Sequence, residues 1–232
     1  KIGNLSLLEI HLKRILKSRL ISKTIVATTH EPQSALITDI AVAMGASYYR
    51  GSLDDVLDRF YNAVNNEHAD YIVRLTSDCP LIDPILIDSV IQFCIDNKLD
   101  YASNTLNPTF PDGVDVEVFT FSALQQAWKQ AQKISDREHV TPFIWRNSSY
   151  HGEQMFKSQC YINDIDYSAV RLTVDVPNDF EVINKIVEKL GVDASWLDYC
   201  KLYLHDATIS KLNSTIKRNE GYLKSLNNDN EL

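Results

Sequence analysis

Tyr71-Ile72-Val73-Arg74-Leu75-Thr76-Ser77-Asp78 and Val170-Arg171-Leu172-Thr173-Val174-Asp175 are two short apolar runs that each pass through Arg-Leu-Thr and end on an aspartate. Both are too short and too rich in β-branched residues to favour a helix, so both read as buried strands. Each is followed by a helix start. Asp83-Pro84 supplies an N-cap and a first-turn proline for a helix ending near Asn97, and Pro177 opens another that reaches about Leu190. Strand, polar bend, helix is the unit from which a parallel sheet is built.

The same unit recurs on either side. Upstream, Leu5, Leu8, Leu12, Ile15 and Leu16 repeat at helical spacing, which predicts a helix from Ser6 to Ser18. Thr24 to Thr29 is a strand, Gln33 to Met44 a helix with Gly45 as its left-handed cap, and Ala46 to Tyr49 a strand. Ser52-Leu53-Asp54-Asp55 resembles a capping box, opening a helix to about Asn66. Downstream, Asp100 to Ser103, Val114 to Phe119 and Met155 to Tyr161 read as strands. Ser135-Asp136-Arg137-Glu138 is a capping box for a helix that Pro142 kinks or shortens.

This alternation predicts an α/β chain with a mainly parallel sheet and helices on both faces. Asn107 to Asp115, with two prolines and a glycine, breaks the rhythm and predicts a hairpin or protruding arm. After Gly191 the pattern is helical only. Residues 1–194 are therefore read as one α/β domain and 195–232 as a helical C-terminal extension packed on it, fraying from Asn227.

Composition narrows the function. Against 31 acidic residues there are 23 basic ones, for a formal charge of -8 in 232 residues. Non-specific binding to nucleic acid or to an anionic membrane needs a cationic surface, so neither is an expected partner. No apolar run is long enough to span a bilayer, and Lys1-Ile2-Gly3-Asn4 lacks the organisation of a signal peptide. Cys79, Cys94, Cys160 and Cys200 form neither a C-x-x-C pair nor a zinc-like cluster, which fits reduced thiols in the cytoplasm. Cys79 stands between Asp78 and Pro80. An acid as neighbour disfavours the thiolate that nucleophilic catalysis needs.

Ligands of open parallel sheets bind beyond the carboxyl ends of the strands, where Asp78 and Asp175 lie. If the two strands are neighbours, the carboxylates could share a Mg²⁺ that keeps waters and takes phosphate oxygens. The alternative is that each caps the helix that follows. Arg50-Gly51-Ser52, between a strand and a helix, could hold an anion. Arg137, Glu138 and His139 open a capped helix, where a histidine is more often structural than a base. Lys217, Arg218 and Lys224 on the final helix read as a solvated face, with contact to phosphate the lesser alternative.

Seven phrases also resemble a known family. They are Leu7-Leu8-Glu9, Val26-Ala27-Thr28-Thr29, Arg50-Gly51-Ser52-Leu53-Asp54-Asp55-Val56-Leu57-Asp58-Arg59 and Ser77-Asp78-Cys79-Pro80-Leu81-Ile82-Asp83. Pro111-Asp112-Gly113-Val114-Asp115-Val116-Glu117-Val118-Phe119, Arg137-Glu138-His139-Val140-Thr141-Pro142 and Leu172-Thr173-Val174-Asp175 complete them. In this order they resemble the cytidylyltransferases of the spore-coat polysaccharide type, relatives of the acylneuraminate and 3-deoxy-manno-octulosonate cytidylyltransferases. The resemblance implies a Rossmann-like fold of the nucleotide-diphospho-sugar transferase type. It also implies CMP transfer from CTP to a sugar or sugar acid, with Mg²⁺ and release of pyrophosphate, in a homodimer.

Carried over, Asp78 and Asp175 would hold the metal, with Arg74 near the phosphates or the metal. Arg50, Ser52 and Asp55 would lie near the nucleotide. Asp112, Asp115 and Glu117 would face the sugar or build a dimer arm, and Arg137 and His139 would hold an acidic sugar. The family's first strand and its basic, glycine-containing phosphate loop have no counterpart in this sequence. Lys1-Ile2-Gly3-Asn4 resembles the line just after that loop, so a numbering that begins late is expected rather than a natural truncation. Two other readings stay open: the same fold acting on a different nucleotide or as a glycosyltransferase, and a non-catalytic subunit that binds nucleotide or sugar.

Overall fold

The computed structural model describes residues 1–229, the side chains of 220, 224, 227 and 228 excepted. In chain order the elements are α1 (Leu7–Ile15), β1 (Ile25–Thr29), α2 (Ser34–Ala43), β2 (Ser47–Gly51), α3 (Val56–Val64), β3 (Tyr71–Arg74), α4 (Pro84–Asp96) and β4 (Tyr101–Ser103). They continue as β5 (Glu117–Thr120), α5 (Phe121–Gln130), α6 (Ile134–His139), α7 (Pro142–Arg146), β6 (Ser158–Cys160), α8 (Pro177–Leu190), α9 (Trp196–His205), α10 (Ala207–Ser210) and α11 (Glu220–Asn228).

β1 and β2 pair in parallel, and a second sheet has the order β3-β5-β4-β6. β5 runs antiparallel to both β3 and β4, whereas β4 and β6 are parallel. The sheet is thus mixed α/β, with every strand of the larger sheet pointing one way except β5. Helices cover both of its faces. Leu86, Ile87, Val90, Ile91 and Cys94 of α4 pack on Ala102, Val116 and Val118. On the other face, Leu57 and Tyr61 of α3 and Ala123, Leu124 and Ala127 of α5 pack on Ile72, Tyr101 and Phe119. The period-2 alternation of a strand makes this division, placing Glu117 on the side of Phe119.

Local signals set several boundaries. Asp83 accepts from the amides of Ile85 and Leu86 at the start of α4, with Pro84 in its first turn. Gly45 has φ +78 after α2, as a left-handed cap requires. Two capping boxes differ from expectation. Asp55, not Ser52, caps α3 by accepting from the Asp58 amide, while Ser52 accepts from the Asp55 amide. Ser135 lies within α6, and its amide and hydroxyl both donate to Asp229, so the cap comes from the far end of the chain. Pro142 does not kink that helix; it starts α7.

Two larger expectations are corrected. Val170 to Val174 is extended but forms only one bridge, Asp112 with Arg171. Its backbone is divided between two loops: the Asp112 amide donates to Val170 O (2.9 Å), Leu172 N to Asp112 O (2.6 Å) and Val174 N to Asp78 O (2.8 Å). The segment from Asn107 to Asp115 forms no hairpin of its own, and residues 110–114 within it are buried. Val114, Val116, Val118 and Phe119 are fully buried, and β5 lies inside the sheet, so no exposed arm is offered there for a dimer contact.

At the C-terminus, Tyr199, Cys200 and Tyr203 of α9 share a core with Leu81, Val170, Leu172, Val182 and Ile183. The fraying expected from Asn227 meets a helix through Asn228, and residues 230–232 lie outside the described ones. No helix among the described residues is long and apolar enough to cross a membrane. All four cysteines are free thiols.

Candidate active site

A cleft of about 700 Å³ opens at the ends of β3 and β4. Its walls are the loop after β3, the loop from Thr105 to Asp115, the turn before α8, the start of α7 and the stretch leading into α11. Arg74, Asp78, Asp112, Asp115, Glu117, His139 and Asp175 all line it. Strand ends and loops from five parts of the chain therefore converge on one space.

Asp78 and Asp175 meet here because Val174 N and the Thr173 hydroxyl (3.3 Å) both bond the carbonyl of Asp78. Neither aspartate caps a helix. Asp83 does so for α4, and before α8 the amides of Asp175 and Val176 donate to Asp179. The capping alternative is thereby removed for both. Asp175 is half-exposed and accepts from Arg171 (2.6 Å); the Asp78 carboxylate has one weak contact, the Cys79 thiol at 3.5 Å. The donor set, two carboxylates on neighbouring backbones, fits a hard cation such as Mg²⁺. Among the described residues no group of three or more His, Cys, Asp or Glu could enclose a metal, so such an ion would keep waters and take ligand oxygens.

Arg171 organises the acidic side. Its guanidinium donates to Asp112 (2.7 Å), to Asp175 (2.6 Å) and, through two nitrogens, to Asp179 (2.9 Å each). Burial works against that charge, but the bonds to Asp179 and Asp175 together with the charges of Asp112 and Asp179 outweigh it and raise the pKa. The sequence held a signal for Arg171, since it occupies the place in its Arg-Leu-Thr phrase that Arg74 holds in the other. Arg74 faces Glu117 in the β3–β5 register and donates to it at 2.5 Å. Tyr101 (2.7 Å) and Thr141 (2.5 Å) donate to the other oxygen of Glu117. Glu117 is thus a buried anchor with both oxygens committed.

Asp115 is held by Arg218, a residue read from sequence as solvated, which also donates to Phe110 O (3.2 Å). Burial pushes the Asp115 carboxyl up to about 7, Arg218 pulls the other way, and Asp112 and Glu117 add to the rise. An unfolded aspartate titrates near ~3.9. Between roughly that pH and the folded value, the folded state keeps a proton that the unfolded state has lost. The group's stabilising contribution is therefore complete below the unfolded pKa and is lost as pH rises through about 7. Burial raises Asp112 too, against Arg218 and Arg171. Asp115→Asn is expected to flatten the fall in stability between about pH 5 and pH 8 by on the order of 2 kcal/mol, read from urea melts at both values. An unchanged slope would show that Asp115 is ionised throughout.

His139 precedes Val140, whose φ of +72 and ψ of -56 close a γ-turn, with the Thr141 amide donating to His139 O at 2.8 Å. That conformation is strained by ~1–3 kcal/mol in a β-branched residue, and it fixes two cleft side chains at once. Ser225 donates to Glu138 (2.7 Å) and so accepts from Nε2–H of His139 (2.9 Å). Burial holds the His139 pKa below its ordinary value.

Arg50, Ser52, Asp55 and Arg137 lie outside the cleft lining. Arg50 donates to Thr29 O and Glu31 O (3.1 Å each). Arg137 forks onto Asp55 and donates to Trp128 O (2.8 Å), which ties α6 to the start of α3. Trp145, His151 and Tyr222, assigned no ligand role from sequence, line the cleft, as does Lys217. Cys79 is buried, and burial together with Asp78 and Asp115 pushes its thiol well above the ordinary value, opposite to what a nucleophile needs.

Helices on both faces of the sheet and an acid-lined cleft at its strand ends are the arrangement of an α/β protein that binds its ligand beyond the strands. Residues 1–202 match the model of the Cytidylyltransferase family, and the chain belongs to that family. It is 39% identical over 199 residues to the uncharacterized protein MJ1063 of Methanocaldococcus jannaschii, covering 83% of this chain and 78% of that one. It is 30% identical over 195 residues to the spore coat polysaccharide biosynthesis protein SpsF of Bacillus subtilis, covering 82% and 79%. Among solved structures, a cytidylyltransferase from Leptospira borgpetersenii superposes with a TM-score of 0.85 at 30% identity, over 94% of this chain and 90% of that one. CMP:2-keto-3-deoxy-manno-octonic acid synthetase complexed with CTP shares the fold, with a TM-score of 0.59 at 14% identity, over 82% and 90%.

Proposed function

We propose that this chain transfers CMP from CTP to a hydroxyl of a sugar acid destined for a polysaccharide, releasing pyrophosphate. The observation that carries the reading is the meeting of Asp78 and Asp175, freed from helix capping, in a cleft of this family's fold. These two carboxylates would hold Mg²⁺, which supplies charge neutralisation on the α-phosphate and the departing pyrophosphate. The chain's own part is to position. Arg171 orients Asp175, and the bonds from Thr173 and Val174 fix the loop that carries Asp78. The Arg74–Glu117 pair, braced by Tyr101 and Thr141, gives the cleft floor a fixed polarity that needs no reorganisation during transfer. The similarity to SpsF supports a polysaccharide product.

The test is thermal unfolding with CTP and Mg²⁺ beside ATP, GTP and UTP. A ligand at about 100 times its Kd stabilises the folded state by ~2.7 kcal/mol, which is roughly 5–10 °C for a chain of this size. The expected result is a shift of that order with CTP alone, abolished in Asp78→Ala. Equal shifts with all four nucleotides, or none with CTP, would overturn the reading.

A further inference from the structure

The stretch from Ile216 to Tyr222 lies beyond residues 1–202, the part that matches the family model, yet it forms one wall of the cleft. It is held in place from several sides. Asn213, fully buried, donates to Arg171 O (3.2 Å) and to Asp179 (2.9 Å). Arg218 grips Asp115 and Phe110 O. The ring of Tyr222 meets His139 edge-on at 5.2 Å and Trp145 at 6.1 Å. Ser225 joins Glu138 and His139. A stretch tied in this way is a fixed wall.

Charge on the two sides of the cleft is unequal. Asp78, Asp112, Asp115, Glu117 and Asp175 line it, and the arginines there are committed: Arg74 to Glu117, Arg171 to Asp112, Asp175 and Asp179. Releasing either would leave a carboxylate buried without its partner, which is expensive. Lys217 is exposed to the cleft, and among the described residues it is the one lysine or arginine lining it without an acidic partner. Its backbone is pinned by the neighbouring ties while its ammonium is free. The rings of Tyr222 and Trp145, which line the same cleft, present apolar surface to it. A free cation and aromatic faces lining one cleft make a site for a small molecule that carries both an anionic group and an apolar face.

Resting on the cytidyl-transfer reading above, we propose that Lys217 binds the carboxylate of the acceptor sugar while the Tyr222–Trp145 wall takes the face of its ring. A neutral sugar leaves Lys217 without a counter-charge, so the wall selects acidic acceptors. The stretch beyond residues 1–202 thus reads the acceptor.

The experiment measures pyrophosphate release with CTP and Mg²⁺, using N-acetylneuraminate and 3-deoxy-manno-octulosonate as acidic acceptors and N-acetylmannosamine as a neutral one. Wild type, Lys217→Ala and Lys217→Arg are compared. Turnover is expected with an acid, with its KM raised at least about tenfold in Lys217→Ala, largely restored in Lys217→Arg, and with KM for CTP unchanged within about twofold. A rise in KM for CTP instead would make Lys217 a phosphate contact and overturn the proposal. So would an unchanged acceptor KM, preference for the neutral sugar, or a CTP-selective thermal shift without turnover of either acid. Loss of the CTP-selective shift itself would sink the parent reading, and separates that failure from failure of the proposal.

Discussion

Replacing Arg171 by alanine is expected to lower the unfolding free energy by about 3–5 kcal/mol, a fall in Tm of roughly 10 °C. Asp112, Asp175 and Asp179 converge on this one guanidinium at 2.6–2.9 Å, and both Arg171 and Asp179 are buried. With the cation gone, the cluster keeps its negative charge and loses the one arginine fork that all three carboxylates share. Arg218 still faces Asp112 at 3.8 Å, but it is committed to Asp115 and pairs with neither Asp175 nor Asp179. Asn213 and the amides of Asp175 and Val176 continue to donate to Asp179, which is why the loss stays finite. Arg171→Lys should recover little, because a single ammonium cannot serve three carboxylates from the directions a planar fork reaches.

Chemical denaturation measures the effect. A second change, Asp112→Asn in the Arg171→Ala background, should restore part of the loss by removing one uncompensated charge. A loss below about 1 kcal/mol for Arg171→Ala would mean that the three carboxylates are not ionised together in the folded protein. Because Arg171 also aims Asp175, the CTP-dependent thermal shift should weaken with it.

What could be read from sequence follows what is local. The Asp83-Pro84 start, the Gly45 cap and the Pro177 start depend on a few adjacent residues, and each is found where the sequence puts it. The errors arise where a distant partner decides. Val170 to Val174 has the composition of a strand, but its backbone partners are the loops at Asp112 and Asp78, so it zips the cleft together without joining a sheet. Val114 to Phe119 alternates apolar and acidic residues as a half-exposed strand would. Its acids face the cleft, where Arg74 and Arg218 meet them, and its valines are in the core. The Ser135 capping box was displaced by Asp229, 94 residues away. At the site, the twin phrases ending in Asp78 and Asp175 drew attention to the strand ends. The cations and rings of the C-terminal wall had no such phrase, since what makes them cleft residues is the return of the chain across the opening.

Gly113→Ala should be more damaging than a change of one methyl group suggests, costing on the order of 4 kcal/mol or preventing folding. Two separate penalties act. At φ +107 the backbone adopts a conformation that side-chain-bearing residues rarely reach. An alanine Cβ would also lie 2.4 Å from Leu172 C and Thr173 N and 2.7 Å from Leu172 O, all backbone atoms that no rotamer change can clear. The comparison that separates the penalties is Gly45→Ala. There φ is +78 and nothing lies within 4 Å of the added carbon, so only the conformational cost of about 1 kcal/mol applies. Urea melts of the two variants should therefore differ severalfold; similar losses would show that the approach of Gly113 to Leu172 is looser than 2.4 Å implies. The contact matters beyond stability. Leu172 and Thr173 belong to the segment whose next residues bond Asp78 and carry Asp175, and residues 112 and 115 flank Gly113 in the opposite wall. Any relief of the clash has to push these two backbones apart and so displace the segment that bonds Asp78 and carries Asp175. If enough Gly113→Ala protein folds to be assayed, its CTP-dependent shift should be lost at temperatures where it is still native. The absence of a side chain at Gly113 is thus a condition of the site as well as of the fold.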